Sequence, residues 1–146
     1  AQALLGNPRL LIVDEPTTGL DPEERKYFLN MLSKIALNMT VIFSTHIISD
    51  IQDLSKEVCI LEKGKINYSG SVDELISRLD GKLWELCVDP REEDKYKENL
   101  FLVSSSAHGG MSYLRYVSDE KLYATSVAVK ATLEDAYIYC LGGMKR

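Results

Sequence analysis

The chain has 146 residues, of which 45% are hydrophobic and 27% are charged, and this composition is typical of a folded globular protein. Its formal net charge of −5 argues against a nucleic-acid-binding surface as its main feature. No apolar run in the sequence approaches the roughly 20 residues that a membrane-spanning helix needs.

The first segment of the chain, residues 1–79, alternates short apolar strands with amphipathic helices. Residues 10–13 and 41–43 are continuous apolar runs, which are typical of strands buried on both faces of a sheet. Between them, residues 22–36 are predicted to form a helix, with Asp21 as its N-cap and a proline at its first position. Strands that alternate with helices indicate an α/β fold with a largely parallel sheet.

The rest of the first segment predicts a short helix, a strand, a hairpin and a further helix. Residues 47–54 carry apolar side chains on one helical face, and residues 58–61 form a third apolar strand. A lysine–glycine turn then leads into residues 66–68, which we expect to complete a hairpin. Ser71 and Glu74 have the spacing of a capping box, so the last helix of the segment should begin there.

The second segment, residues 80–146, has a different order of elements. We predict strands at residues 83–88, 100–104, 113–117 and 124–129, and helices at residues 92–99 and 132–141. This order favours a small α+β domain, with helices packed on an antiparallel sheet.

The three cysteines, Cys59, Cys87 and Cys140, are odd in number and far apart in the sequence. This spacing disfavours a disulfide framework or a zinc site. We expect reduced, buried thiols, as in a cytosolic protein.

Two acidic residues, Asp14 and Glu15, directly follow the apolar strand at residues 10–13. A buried strand of this kind places both carboxylates at the carboxyl edge of the sheet, where open α/β sheets bind ligands. Asp14 suits Mg²⁺, usually through water, because Mg²⁺ is a hard octahedral cation. Glu15 points elsewhere because side chains alternate along a strand, so it can orient an attacking water molecule.

Residues 10–22 resemble the Walker B strand, catalytic glutamate and D-loop of ABC-type ATPases. Asp14 matches the Walker B aspartate and Glu15 matches the catalytic glutamate. Gly19-Leu20-Asp21 matches the D-loop, which in that family crosses the dimer interface. Ser44-Thr45-His46 follows the second strand and resembles the family's switch (H-loop) histidine motif.

The resemblance extends beyond these motifs. Residues 63–75 are similar to the family's hairpin and following helix, and residues 3–8 are similar to the end of the helix after the signature loop. Residues 132–142 resemble the closing helix of bacterial ABC-2 and antibiotic-exporter ATPases. The implied fold is a partial P-loop ATPase (RecA-like) parallel sheet with flanking helices over residues 1–79, followed by a small α+β accessory domain over residues 80–146.

This resemblance implies the C-terminal part of the ATP-binding subunit of an ABC transporter, an exporter by its C-terminal segment. Glu15 would polarise water, His46 would contact the γ-phosphate of ATP, Asp14 would help to hold Mg²⁺, and Asp21 would communicate across the dimer. The implied cofactors are ATP and Mg²⁺. The implied partners are a second ATP-binding subunit and a membrane-spanning permease, and no nucleic acid is expected as a partner. Binding to the permease would place the protein at the cytoplasmic face of the cell membrane.

Two parts of the family's pattern are missing from the sequence. A P-loop needs Gly, four residues, Gly-Lys and then Ser or Thr, but the only Gly-Lys pairs, at residues 64–65 and 81–82, are followed by Ile66 and Leu83. No signature loop is present either. We therefore expect a chain that is cut just past the signature loop and is inactive alone, because phosphoryl transfer depends on electrostatic positioning. An uncovered sheet edge should promote self-association.

Two other functions remain open at this point. Split-head ATPases of DNA-repair and chromosome-organising proteins also carry an acid pair and a histidine in their C-terminal lobe, although no heptads precede the acid pair here. The other hypothesis is that the chain is a non-catalytic dimerisation module.

Overall fold

The computed structural model of the chain describes Leu4, Gly6 and residues 8–143, without the side chain of Asp53. The chain divides into two compact units, Ala1–Ser55 and Lys56–Arg146. The predicted helix end at residues 3–8 rests on positions outside the described residues.

The described residues of the first unit form two strands and two helices, in the predicted order. They are β1 (Leu10–Asp14), α1 (Pro22–Ile35), β2 (Thr40–Ser44) and α2 (Ile48–Leu54). β1 and β2 pair in parallel, and their register sets Asp14 beside Ser44 at the carboxyl end of both strands. The α/β character predicted for this part of the chain is therefore confirmed.

Helix α1 begins where the sequence indicates. Asp21 Oδ1 accepts hydrogen bonds from the backbone nitrogens of Glu23 and Glu24, at 2.9 and 2.8 Å, and Pro22 occupies the first helical position. These bonds satisfy two of the backbone donors that a helix start leaves free, and the acidic first turn faces the positive end of the helix dipole.

The pair of strands is buried less than its apolar sequence predicts. Leu11 is 8% exposed, but Ile12 and Ile42 are 67% and 53% exposed. The expectation that both faces are buried is wrong for the described residues, because nothing among them covers the face that carries Ile12 and Ile42. β1 and β2 form a two-stranded sheet of their own within this part of the chain.

Up to residue 143, where the described part ends, the second unit contains a hairpin, a four-stranded sheet and three helices. Its elements are β3 (Glu57–Glu62), β4 (Lys65–Ser71), α3 (Val72–Ser77), β5 (Leu83–Val88), α4 (Glu93–Lys97), β6 (Leu102–His108), β7 (Met111–Val117), β8 (Val127–Ala128) and α5 (Leu133–Cys140). β3 and β4 pair antiparallel, and the other strands form an antiparallel sheet in the order β6-β7-β5-β8.

Leu75, Leu83 and Leu133 are buried elsewhere in the second unit, but one hydrophobic cluster lies on one face of the four-stranded sheet. It is built from Leu86, Val88, Leu100, Leu102, Leu114 and Tyr116. The predicted antiparallel α+β arrangement is confirmed, although β8 is shorter than the predicted strand at residues 124–129 and β6 begins later than residue 100. Leu100 instead packs into the core from the loop before β6.

The division into compact units differs from the predicted boundary between Leu79 and Asp80. Helix α3 packs against α5, and β3 pairs with β4 next to α3, so residues 56–79 join the second unit. Contacts therefore place the division between Ser55 and Lys56.

The three cysteines are free thiols, but the expectation that they are buried is wrong. Cys59 and Cys87 are exposed, and Cys140 is half-buried. Cys59 lies on the more exposed side of β3, where burial alternates along the strand, and Cys87 lies one residue before the end of β5. None of the described helices is both long and apolar enough to cross a membrane.

Candidate active site

The candidate site lies at the carboxyl ends of β1 and β2. Glu15 follows β1 directly and has a φ of 40°, a left-handed conformation that is uncommon for a residue with a side chain. Its backbone nitrogen donates to the carbonyl oxygen of Ser44 at 3.1 Å and to Ser44 Oγ at 2.9 Å. Such a conformation costs on the order of 1–3 kcal/mol and persists where the surroundings fix it, which is common at functional sites.

Ser44 connects the two acidic residues. Its hydroxyl donates a hydrogen bond to Asp14 Oδ1 and accepts one from the backbone nitrogen of Glu15. The parallel register produces this arrangement, because Asp14 and Ser44 are partners at the ends of neighbouring strands. Ser44 thus orients one oxygen of Asp14, while Asp14 Oδ2 has no hydrogen-bond partner among the described residues.

Glu15 and His46 are in direct contact. His46 Nδ1 lies 3.1 Å from Glu15 Oε1, and the hydroxyl of Thr18 donates to Glu15 Oε2 at 3.1 Å. The two side chains remain accessible, at 47% for Glu15 and 64% for His46. An exposed pair of this kind contributes only about 0–1 kcal/mol to stability, so its main effect is to orient the two side chains.

The structure brings together three of the four predicted site residues. Asp14, Glu15 and His46 meet through Ser44 and through the Glu15–His46 contact. Asp21 is exposed and caps helix α1, and no hydrogen bond joins it to the other three among the described residues. Capping occupies one of its carboxylate oxygens.

A buried polar network next to the site was missed by sequence reasoning. Asp50 is fully buried, and its Oδ1 accepts from Arg25 Nε at 2.6 Å and forms an ion pair with Arg25 Nη2 at 2.5 Å. Its Oδ2 accepts from Thr17 Oγ1 at 2.7 Å and from Thr45 Oγ1 at 3.4 Å. Arg25 Nη2 also donates to Ser49 Oγ at 2.7 Å.

A signal for Asp50 was present in the sequence. It lies three residues after Ile47 and four before Leu54, so it falls on the same face of α2 as these apolar side chains. An acid on an apolar helix face must be paired when it is buried. The sequence could not identify the partner, because Arg25 lies on a different helix.

The site offers single carboxylates for a metal ion rather than a closed cage. Within residues 8–143 and the two described residues before them, no group of three or more His, Cys, Asp or Glu side chains is arranged to hold a metal ion. Asp14 has an exposed carboxylate with one oxygen fixed by Ser44. This donor set fits Mg²⁺, which commonly takes one or two carboxylates and completes its shell with water and phosphate oxygens.

Comparison with known proteins identifies many relatives, although no family model matches the chain. The uncharacterized ABC transporter ATP-binding protein YxlF of Bacillus subtilis is 32% identical over 152 residues, which cover 94% of this chain and 52% of that protein. The methionine import ATP-binding protein MetN of Campylobacter jejuni is 39% identical over 87 residues, covering 58% of this chain and 26% of MetN.

A third relative is a resistance protein. The linearmycin resistance ATP-binding protein LnrL of Bacillus subtilis is 36% identical over 80 residues, covering 54% of this chain and 26% of LnrL. The chain therefore spans about half the length of YxlF and about a quarter of the other two. These names do not favour a DNA-repair or chromosome-organising ATPase. The chain belongs to the family of ABC transporter ATP-binding proteins and corresponds to a part of their length.

Proposed function

We propose that this chain is the part of an ABC transporter ATP-binding subunit that orients the attacking water for ATP hydrolysis. The observation that carries the proposal is the 3.1 Å contact between Glu15 Oε1 and His46 Nδ1, at the carboxyl ends of two parallel strands. Ligands of open α/β sheets bind at this edge.

Glu15 is the proposed catalytic residue. A carboxylate accepts hydrogen bonds, so it can accept a proton of a water molecule and direct its oxygen at the phosphate. Thr18 and His46 each engage one of its oxygens, and the side chain remains accessible to solvent. The left-handed backbone of Glu15 lies directly after the last residue of β1.

His46 is proposed to contact the γ-phosphate of ATP. Its Nδ1 faces Glu15, which leaves Nε2 as the ring nitrogen available to a phosphate oxygen. The same imidazole then touches both the residue that orients water and the group that is attacked. This double contact would make hydrolysis depend on the presence of the γ-phosphate.

Asp14 is proposed to hold Mg²⁺ with its oxygen Oδ2, directly or through water. Bound together with ATP, Mg²⁺ supplies neutralisation of the negative charge on the phosphates. The role of Ser44 is to fix the orientation of Asp14, since its hydroxyl donates to Oδ1. Asp21, exposed at the start of α1, is the proposed contact to a second subunit.

We further propose that the chain acts only together with a P-loop and a signature loop, which its sequence lacks. The chain alone should therefore not turn over ATP. In the assembled transporter, a second ATP-binding subunit and a membrane permease at the cytoplasmic face would be its partners. Export stays a proposal that rests on the resemblance of residues 132–142, because the relatives' names include both import and resistance proteins.

The test uses an ATP-binding subunit that contains this chain. We expect Glu15→Gln to abolish steady-state ATP hydrolysis while ATP binding is retained, because the amide cannot take a proton from water. Glu120→Gln, at an exposed position of the second unit, is the control and should leave the rate unchanged. Hydrolysis by Glu15→Gln at the unaltered rate would refute the proposal.

A further inference from the structure

The fully buried carboxylate of Asp50 has no part in the proposed chemistry. Its neighbours, in contrast, lie in the segments that carry the proposed site residues. Thr17 is 3% exposed and belongs to the loop between Glu15 and Asp21. Thr45 directly precedes His46. One carboxylate thus receives hydrogen bonds from both segments, through Thr17 Oγ1 at 2.7 Å and Thr45 Oγ1 at 3.4 Å.

Arg25 adds a third segment to this network. It lies at the start of helix α1, which Asp21 caps, and its guanidinium binds Asp50 Oδ1 at 2.5–2.6 Å. Arg25 also binds Ser49, so the guanidinium fork is engaged by two residues of α2. Two nitrogens of the planar guanidinium contact the single oxygen Oδ1, and Nη2 also contacts Ser49, so these directional contacts fix α1 relative to α2.

Stability alone does not account for a buried ion pair at this position. Removing charges from water is costly, and well-packed apolar side chains of similar volume are often as stable as a buried ion pair. The directional bonds of Asp50 instead fix relative position. A shift of Thr17 also moves the following turn, because the backbone nitrogen of Leu20 donates to the carbonyl oxygen of Thr17 at 3.3 Å.

We propose that Asp50 is a positioning residue that fixes the loop from Glu15 to Asp21 against the His46 segment. This inference rests on the proposed ATPase function and extends it to a fully buried residue outside the proposed contacts with nucleotide and water. Asp50 acts through Thr17 on the loop that follows Glu15, through Thr45 on the residue before His46, and through Arg25 on the helix that follows Asp21.

Loss of positioning has a specific kinetic signature. Asp50 is fully buried and lies outside the proposed nucleotide contacts, so ATP affinity should change little. The turnover number should fall, because misplacement of a catalytic group by about 1 Å can cost about 100-fold in rate. A variant that only unfolds part of the protein would reduce the amount of active enzyme and leave kcat per folded molecule unchanged.

The test compares Asp50→Asn with Asp135→Asn in an ATP-binding subunit that contains this chain. Asp135 is a matched control, because it is 1% exposed, is paired with Arg115 at 3.0 Å and lies in the other unit. We expect Asp50→Asn to lower kcat about tenfold or more with little change in KM for ATP, and Asp135→Asn to leave kcat per folded molecule unchanged. Equal effects of the two variants on kcat would overturn the proposal.

Thr17 provides a second test if Asp50→Asn fails to fold. Thr17→Val is similar in volume but removes the hydroxyl that binds Asp50, whereas Thr17→Ser retains it. We expect Thr17→Val to lower kcat and Thr17→Ser to restore most of it. Equal kcat for the two variants would overturn the proposal. Full activity of Glu15→Gln would instead show that the proposed function itself fails, whatever the result at Asp50 and Thr17.

Discussion

Asp135 is expected to contribute more to the stability of the second unit than any neighbouring acid of helix α5. Its Oδ2 accepts hydrogen bonds from the backbone nitrogen of Thr132 at 2.9 Å, from Thr132 Oγ1 at 2.8 Å and from Arg115 Nη1 at 3.0 Å. The side chain is 2% exposed. Substitution by alanine removes all three bonds and leaves the space of a carboxylate empty.

The magnitude follows from these contacts. Loss of the capping box at the start of α5 costs about 1 kcal/mol, and loss of a hydrogen bond to a charged group costs about 1.5–3 kcal/mol. Arg115 is 29% exposed and keeps its 3.1 Å pair with Glu85, so solvent and Glu85 limit the cost of leaving it without Asp135. We expect Asp135→Ala to lower the free energy of unfolding by about 3 kcal/mol in total.

Urea unfolding of the chain measures this effect directly. Trp84 is the single tryptophan and lies in β5 of the second unit, so its fluorescence reports on the unit that contains Asp135. Glu134→Ala is the matched control, because Glu134 is exposed and lies in the same first turn of α5. We expect the control to change stability by at most about 0.5 kcal/mol. An Asp135→Ala effect as small as that of the control would refute the reasoning.

Two further predictions concern pH and self-association. The ammonium of Lys97, with the hydroxyls of Ser105 and Ser112, lowers the pKa of Glu93 below its ordinary value of 4.5. Ionised Glu93 therefore stabilises the fold above pH 4.5. This contribution to stability is lost as the pH falls through the folded-state pKa of Glu93. Glu93→Gln should therefore flatten the acid part of a plot of urea midpoint against pH, and an unchanged slope below pH 4.5 would contradict this. Ile12 and Ile42 are exposed on one face of the β1–β2 sheet, so the chain should self-associate in sedimentation experiments, and Ile12→Ser with Ile42→Ser should reduce the association. A clean monomer over a tenfold concentration range would contradict it.

Local signals in the sequence predicted most elements of the fold. The N-caps at Asp21 and Ser71 depend on a side chain and on backbone groups two or three residues away, and both side chains accept the expected backbone hydrogen bonds. The capping box predicted at Ser71 is only half formed, because Glu74 N donates to Ser71 Oγ without a reciprocal bond from the Ser71 nitrogen to the Glu74 carboxylate. The strand β5 begins and ends at its predicted residues because its apolar pattern is bounded by polar turns.

Some tertiary features could not be predicted from the sequence, for a physical reason. The exposure of Ile12 and Ile42 depends on which segments cover a sheet face, and periodicity does not identify those segments. The same limit applies to Cys59 and Cys87, because an apolar strand pattern does not show which of its positions other segments cover.

The candidate site was predictable in part. Asp14, Glu15 and His46 follow two apolar strands, and the parallel pairing of those strands brings the three together. Ser44 and Asp50 acquire their contacts only through the register of the sheet and the packing of α1 against α2. The Arg25–Asp50 pair and the Ser44–Asp14 bond have no signature in local sequence, because each joins residues at least 25 positions apart.

The measurement that tests the central claim most directly is a double-mutant cycle on steady-state ATP hydrolysis, with Glu15→Gln, His46→Ala and the combined variant in an ATP-binding subunit that contains this chain. If Glu15 and His46 act as one unit on the attacking water, each single variant loses nearly all activity and the double variant loses little more. Additive losses, or near-normal turnover by Glu15→Gln, would contradict the account.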